Sequence, residues 1–179
     1  MNEHETIRSD AAIYAALHRQ VEATLQHRDE SPHARWGWEQ ACRQFHRFDA
    51  PMLALVTREG RARIRAGDPE FVERAICYLE VDPYHFRSGY NKSTLIRCLK
   101  GLSLSPPQQM RLRGAVYHAL DGHDRCEIRD FWRLASRLQT PEFIERVTER
   151  LASPEVRIQR RARQLLDYLE HFNRSDRNA

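Results

Sequence analysis

The residues best suited to chemistry lie between Asp82 and Thr94, in the segment DPYHFRSGYNKST. This segment concentrates an imidazole, two cations and several hydroxyl and amide groups, carried by His85, Arg87, Ser88, Tyr90, Asn91, Lys92 and Ser93. It precedes the apolar helical pattern of Leu95, Ile96 and Leu99, so we expect a long turn whose polar groups surround free helix N–H donors. Because Arg87 and Lys92 add positive charge there, one hypothesis is an anion or phosphate site.

Two other interpretations of this segment remain open. An enzyme would use it as part of a pocket, with His85 or Tyr90 pointing inward beside a carboxylate. A purely structural segment would pack its aromatic residues beneath the turn while the polar groups cap the helix; those aromatics are Tyr84, Phe86 and Tyr90. The structural interpretation is favoured, since no phosphate-binding pattern such as GxxxxGK followed by Ser or Thr is present.

Two arginine clusters are further candidates for binding. Arg58, Arg61 and Arg65 follow i, i+3, i+7 spacing, which places them on one face of a helix. A second cluster later in the chain consists of Arg157, Arg160 and Arg161. Either cluster could contact phosphates or an acidic protein, whereas a solvated charged face is the ordinary alternative.

Metal and catalytic motifs are missing from the sequence. His118, His123 and Cys126 cluster, and Cys42 and His46 have i, i+4 spacing, but neither set supplies four zinc ligands. The four cysteines are widely spaced, so we expect reduced thiols rather than disulfides. There is no HExxH, GxSxG or Gly-rich nucleotide loop. We therefore expect no metal, no cofactor and no enzymatic activity.

Composition and charge favour a globular protein in the cytoplasm. The 179 residues carry a formal net charge of +4, and almost every basic residue is arginine, since Lys92 and Lys100 are the only lysines. This charge permits nucleic-acid contact without requiring it. No apolar run reaches the ~18 residues of a membrane span. The polar N-terminus lacks a secretory pattern, so we predict a cytoplasmic protein without a membrane partner.

Apolar positions recur at helical spacing throughout, which predicts an all-α fold. The first helix carries a stripe at Ile13, Leu17, Val21 and Leu25. A capping residue directly before a proline marks further helix starts at Ser31-Pro32, Asp68-Pro69, Ser105-Pro106, Thr140-Pro141 and Ser153-Pro154. Asp124 and Glu127 have the spacing of a capping box.

An internal repeat organises the second part of the chain. PEFVER at residues 69–74 recurs as PEFIER at 141–146, and proline starts fall at 69, 106 and 141. This sequence resembles HEAT-like repeats, which stack antiparallel helix pairs into an α-solenoid. The resemblance implies a short array over residues 67–172, capped by N-terminal helices within 1–66 and followed by a frayed tail at 173–179. An irregular α-bundle with a coincidental hexapeptide remains the alternative.

These patterns together favour a non-enzymatic scaffold that binds another protein, as an adaptor or as an immunity-type inhibitor. One alternative is a helical-repeat protein that binds nucleic acid through its arginine-rich faces. Another is an enzyme with a pocket at the 82–94 loop. Trp36 and Trp38 lie two residues apart, so at least one should lie near the surface or under a loop, where an exposed tryptophan would suggest a binding hot spot.

Overall fold

The computed structural model describes residues 2–176, and within them the chain forms nine α-helices and two 3-10 helices, with no β-strand. The predicted all-α class is therefore confirmed. No described helix combines the length and apolar composition needed to cross a bilayer. The elements are α1 (Glu3–Leu25), α2 (Pro32–Arg47), η1 (Pro51–Val56), α3 (Arg58–Arg65), α4 (Pro69–Val81), α5 (Ser88–Leu99), α6 (Pro106–Asp121), α7 (Ile128–Ala135), α8 (Pro141–Glu149), η2 (Arg150–Ala152) and α9 (Val156–Asp176).

Four of the predicted helix starts are capped as expected. The side chains of Ser31, Asp68, Ser105 and Thr140 each accept a backbone N–H from the first turn, with proline at the first helical position. Such caps satisfy donors that the helix itself leaves unpaired.

Two other predicted helix starts are wrong. Ser153 accepts the N–H of Glu155, but α9 begins only at Val156. Glu127 is the N-cap of α7 without a side-chain cap. Asp124 instead receives a hydrogen bond from Arg161, so the predicted capping box does not form.

The first compact unit extends to Ser88 and contains α1, α2, η1, α3 and α4. In this unit α1 packs against α2, η1 and α4, and α4 also packs against α3. Its core contains the buried side chains of Ile7, Phe45, Met52, Leu55, Ile64, Ile76, Tyr78 and Leu79.

The buried face of α1 differs from the predicted stripe. Ile13 and Leu25 are exposed, while Ile7, Asp10 and Ala11 are buried. The Asp10 carboxylate accepts the backbone N–H of Met52 at 3.2 Å. A hydrogen-bonded polar residue thus occupies a core position that an apolar pattern does not reveal.

The second compact unit begins at Gly89 and contains the remainder of α5 together with α6 to α9. Here α6 packs against α7 and α9, while α9 also packs against α7 and α8. Its buried apolar side chains include Leu95, Ile96, Leu99, Leu112, Val116, Phe131, Leu134, Phe143, Val147 and Leu165.

The duplicated hexapeptide opens one helix in each unit, α4 in the first and α8 in the second. Phe71 and Phe143 occupy its third position and are both buried. The boundary between the units follows Ser88, later than the predicted boundary at 66/67, because α4 packs against α1, η1 and α3. Within the predicted tail, residues 173–176 continue α9, whereas 177–179 lie outside the described residues.

Candidate binding groove

The turn between α4 and α5 is much shorter than predicted. It comprises residues 82–87, and α5 already begins at Ser88. Its first and last residues, Asp82 and Arg87, are non-glycine residues with left-handed backbone, at φ values of 50° and 63°. This conformation costs an L-residue about 1–2 kcal/mol, so the surrounding structure must hold the turn in place.

The predicted loop is wrong beyond Arg87, because Tyr90, Asn91 and Lys92 lie within α5. The buried positions of this helix follow helical spacing, at Ser88, Lys92, Leu95, Ile96, Cys98 and Leu99. Two of these six positions, Ser88 and Lys92, are polar, and both lie in the first turns of the helix, so a search for apolar periodicity does not detect those turns.

His85 lies inside the turn and is buried. Its Nδ1 lies 2.9 Å from the Phe86 carbonyl oxygen, and its Nε2 lies 2.7 Å from the Tyr78 hydroxyl. With Nδ1–H donating to the carbonyl, Nε2 accepts from Tyr78. The ring of Tyr14 also meets His85 edge-on, with 5.4 Å between centroids. His85 therefore holds the turn in shape.

The aromatic residues at the tip of the turn are exposed, contrary to the expectation that they pack beneath it. Tyr84 is 79% exposed and Phe86 is 43% exposed. One face of Phe86 stacks on His18 of α1, with ring centroids 4.2 Å apart and an interplanar angle of 14°. Large exposed aromatics beside a supporting ring are typical of binding surfaces.

A groove of about 430 Å³ runs between α1 and this turn. We call it the aromatic groove; it is lined by Ala15, His18, Arg19, Glu22, Tyr84, His85, Phe86 and Arg87. All of these residues belong to the first unit. Of the predicted candidates, the structure places only His85 and Arg87 here.

The electrostatics of the aromatic groove combine two cations with one acid. Arg19 and Arg87 are exposed, whereas Glu22 lies 3.6 Å from Nδ1 of His18. Burial raises the pKa of the neighbouring Tyr14, and the positive charge of Arg87 opposes that rise. The positive charge of Arg87 therefore also acts on Tyr14, which packs against His85 next to the groove.

The three arginines of the first cluster lie on α3. Arg58 and Arg65 are exposed, and Arg61 is half-buried with its Nε donating to the Thr57 carbonyl at 3.2 Å. None of the three forms an ion pair with any described residue. Arg63, between them, pairs with Asp68 at 2.7 Å.

The second arginine cluster is largely engaged within the protein. Arg157 pairs with Glu155 at 2.7 Å, and Arg160 lies 3.4 Å from Asp124. The side chain of Arg161 is buried and donates to backbone carbonyls at the end of α6. The prediction that Arg161 is a binding residue is therefore corrected, since a buried side chain cannot meet a partner.

Lys92 is also buried, with its Nζ 3.6 Å from the Glu127 carboxylate, and each side chain is 4% exposed. Its expected role at an exposed anion site is corrected accordingly. Tyr90 is exposed and Asn91 is half-buried, and both belong to the second unit. Trp36, on α2, is 56% exposed.

Among the described residues, one group of His, Cys and acidic side chains is close enough to hold a metal ion: His4, Cys77 and Glu80. The sets considered in the sequence, around Cys126 and around Cys42, do not form such a group in the part of the chain described. Sequence reasoning missed the actual group because His4 and Glu80 are 76 residues apart.

Comparison with protein-family models, curated proteins and solved structures finds no match to this chain. Any functional proposal therefore depends on the geometry of the protein itself.

Proposed function

We propose that this protein is a non-enzymatic binding protein that docks another protein in the aromatic groove, as an adaptor or as an inhibitor of that partner. The observation that carries the proposal is the exposure of Tyr84 and Phe86 beside the guanidinium groups of Arg19 and Arg87. Tyrosine and arginine are among the residues most enriched at binding hot spots. The strained backbone of Arg87 agrees with this role, because such strain collects at functional sites.

The chemistry of the groove defines the partner segment that fits it. An apolar or aromatic side chain would cover Phe86 and Tyr84, and a carboxylate would pair with Arg19 or Arg87. Glu22 is the one acidic residue among those that line the groove, so the two arginines outnumber it.

Affinity capture from the native lysate tests this proposal, with tagged wild-type protein treated with nuclease and washed at high salt. We expect a stoichiometric protein partner that the Tyr84→Ala/Phe86→Ala double variant loses, with affinity reduced at least about 30-fold for two hot-spot residues. The matched control is Val156→Ala, which removes an exposed apolar side chain of the second unit. Capture that is equal for all three proteins would reject the aromatic groove as the docking site.

Nucleic-acid binding through α3 is the second candidate, favoured because Arg58, Arg61 and Arg65 form no ion pair with another described residue. It ranks lower because the chain up to Ser88 has twelve basic and fourteen acidic residues, whereas the chain from Gly89 has seventeen and eleven. An acidic unit attracts polyanions poorly.

The salt dependence of DNA or RNA binding tests whether α3 binds nucleic acid. If α3 contacts phosphates, Arg58→Ala should reduce the slope of log K against log salt by about one unit. An unchanged slope, or no binding at low salt, eliminates the nucleic-acid function.

We also propose that the two helices opened by PEFVER and PEFIER descend from a HEAT-like repeat. The same cap-proline start and the buried Phe71 and Phe143 support common ancestry. A cytoplasmic location is part of the proposal, supported by the four cysteines, which form no disulfide bond among the described residues.

A further inference from the structure

Three potential metal ligands converge where the first turn of α1 meets α4. Nε2 of His4 lies 2.9 Å from Oε2 of Glu80. One ligand atom from each of His4, Cys77 and Glu80 lies within 4.8 Å of the other two. Cys77 and Glu80 are three residues apart on α4 and hence share a face of that helix.

We infer that His4, Cys77 and Glu80 form a binding site for a divalent transition-metal ion of the zinc class. Imidazole nitrogen, thiolate sulfur and carboxylate oxygen are the three ligand types that Zn²⁺ takes from proteins, at about 2.0–2.3 Å. Around a tetrahedral ion such ligands lie about 3.3–3.8 Å from one another. Shifts of about 1 Å in side chains therefore convert the observed cluster into a coordination shell.

Charge and access also suit a cation at this position. On metal binding the Cys77 thiol releases its proton to solvent. The thiolate and the Glu80 carboxylate then balance the two positive charges. The side chains of His4 and Glu80 are 39% and 21% exposed, which opens the site to incoming ions, while Cys77 is buried and anchors it.

Glu73 supplies a fourth potential ligand, a second carboxylate, next to this cluster. It lies one helical turn before Cys77, and its Oε1 is 3.8 Å from the Cys77 sulfur. Rotation of this carboxylate toward the ion would complete a tetrahedral set of one nitrogen, one sulfur and two oxygens. The metal would then connect α1 to α4 and stabilise the first unit without involving the aromatic groove.

Titration of the chelator-treated full chain with Co²⁺, followed by displacement with Zn²⁺, tests the site. We expect one equivalent to bind with a thiolate-to-cobalt charge-transfer band that Zn²⁺ abolishes. With free Zn²⁺ at about one hundred times its Kd, the midpoint of thermal unfolding should rise by about 5 °C or more.

The variants are chosen to separate this site from other thiols. Cys77→Ser should abolish the charge-transfer band, and His4→Gln, which alters a partly exposed side chain, should weaken binding at least about tenfold. Circular dichroism checks that both variants fold. Cys126→Ser is the control, since it removes an exposed thiol of the second unit. Absence of the band in wild-type protein overturns the inference. So does a band that survives His4→Gln at full affinity or is lost in Cys126→Ser, because either result indicates an adventitious ion only.

Discussion

Arg161 is a residue of α9 that completes the end of a different helix. Its guanidinium donates to the carbonyls of Ala119, Leu120 and Gly122 at 2.7–3.3 Å and to that of His123 at 2.5 Å. It also donates to Asp124 at 2.7 Å. The last carbonyls of an α-helix have no partner within the helix, so one buried arginine here satisfies several of them together. Burial lowers the pKa of Arg161, and the contact with Asp124 opposes that effect.

Arg161→Ala should therefore reduce the free energy of unfolding by about 3 kcal/mol or more, because it leaves several buried carbonyls unsatisfied. Its neighbour provides the control: Arg160→Ala removes an exposed cation and should change stability by less than about 1 kcal/mol. Chemical denaturation of both variants measures the difference. Similar losses for the two would mean that Arg161 does not stabilise the end of α6.

Asp130 links stability to pH. Burial acts to raise the pKa of Asp130, but hydrogen bonds from Ser93, Arg97 and Arg133 outweigh burial and hold it below its ordinary value. A carboxylate with a lowered folded-state pKa stabilises the protein above about pH 4, the unfolded value, and loses that contribution as the pH falls through the folded value.

Asp130→Asn should therefore destabilise the protein by about 1.5–3 kcal/mol at pH 7, the range for hydrogen bonds to charged groups. The difference from wild type should shrink as the pH falls below about 4. Thermal unfolding measured against pH tests this, with Asp167→Asn as an exposed control. A difference that stays constant down to pH 2 would contradict the proposed linkage.

At the scale of helices, capping chemistry made several boundaries predictable. Asp68 and Thr140 mark the starts of α4 and α8. A capping oxygen directly before a proline suits the first turn of a helix, where the oxygen accepts a backbone N–H and the proline lacks one. Helices whose buried faces include polar residues were harder to predict. Asp10 in α1 and Lys92 in α5 are buried beside specific partners, Met52 and Glu127, that lie far away in sequence. Of the residues that line the aromatic groove, the sequence predicted only His85 and Arg87 as binding candidates, because the α1 wall of the groove lies far from them in sequence.

The pairing of η1 with α3 depends on a glycine. A Cβ at Gly60 would lie 2.0 Å from the carbonyl oxygen of Ala54, which is backbone and cannot rotate away. Gly60→Ala should destabilise the protein by about 2 kcal/mol or more. Gly114→Ala, at an open position in α6, should stabilise it by about 0.5–1 kcal/mol. Thermal unfolding of both variants tests these predictions, with a lower midpoint expected for Gly60→Ala and a higher one for Gly114→Ala. Shifts of both midpoints in the same direction would contradict them.

At the scale of the whole molecule, the chain forms two compact units of similar length with opposite formal charge. Each has its own buried apolar core, around Ile64 and Ile76 in the first unit and around Val116 and Phe131 in the second. Because each unit has its own buried core, each can have its own free energy of local unfolding.

Hydrogen exchange should reveal this division. Arg161→Ala should lower amide protection in α6 and α9 while leaving α1 and α4 close to wild type, because the lost hydrogen bonds lie within the second unit. Mass spectrometry of peptides from both units provides the measurement. Loss of protection along the whole chain would show instead that the two units unfold together.

Because Arg161 follows its partners in the sequence, it is synthesised later than the helix end that it stabilises. The groups it binds precede it by 37 to 42 residues. At about 5–20 residues per second, the ribosome delivers Arg161 about 2–8 seconds after the end of α6. During that interval the carbonyls that close α6 are without their arginine and open to other hydrogen-bond donors. The hydrogen bonds that close the end of α6 therefore form only after Arg161 of α9 has been synthesised.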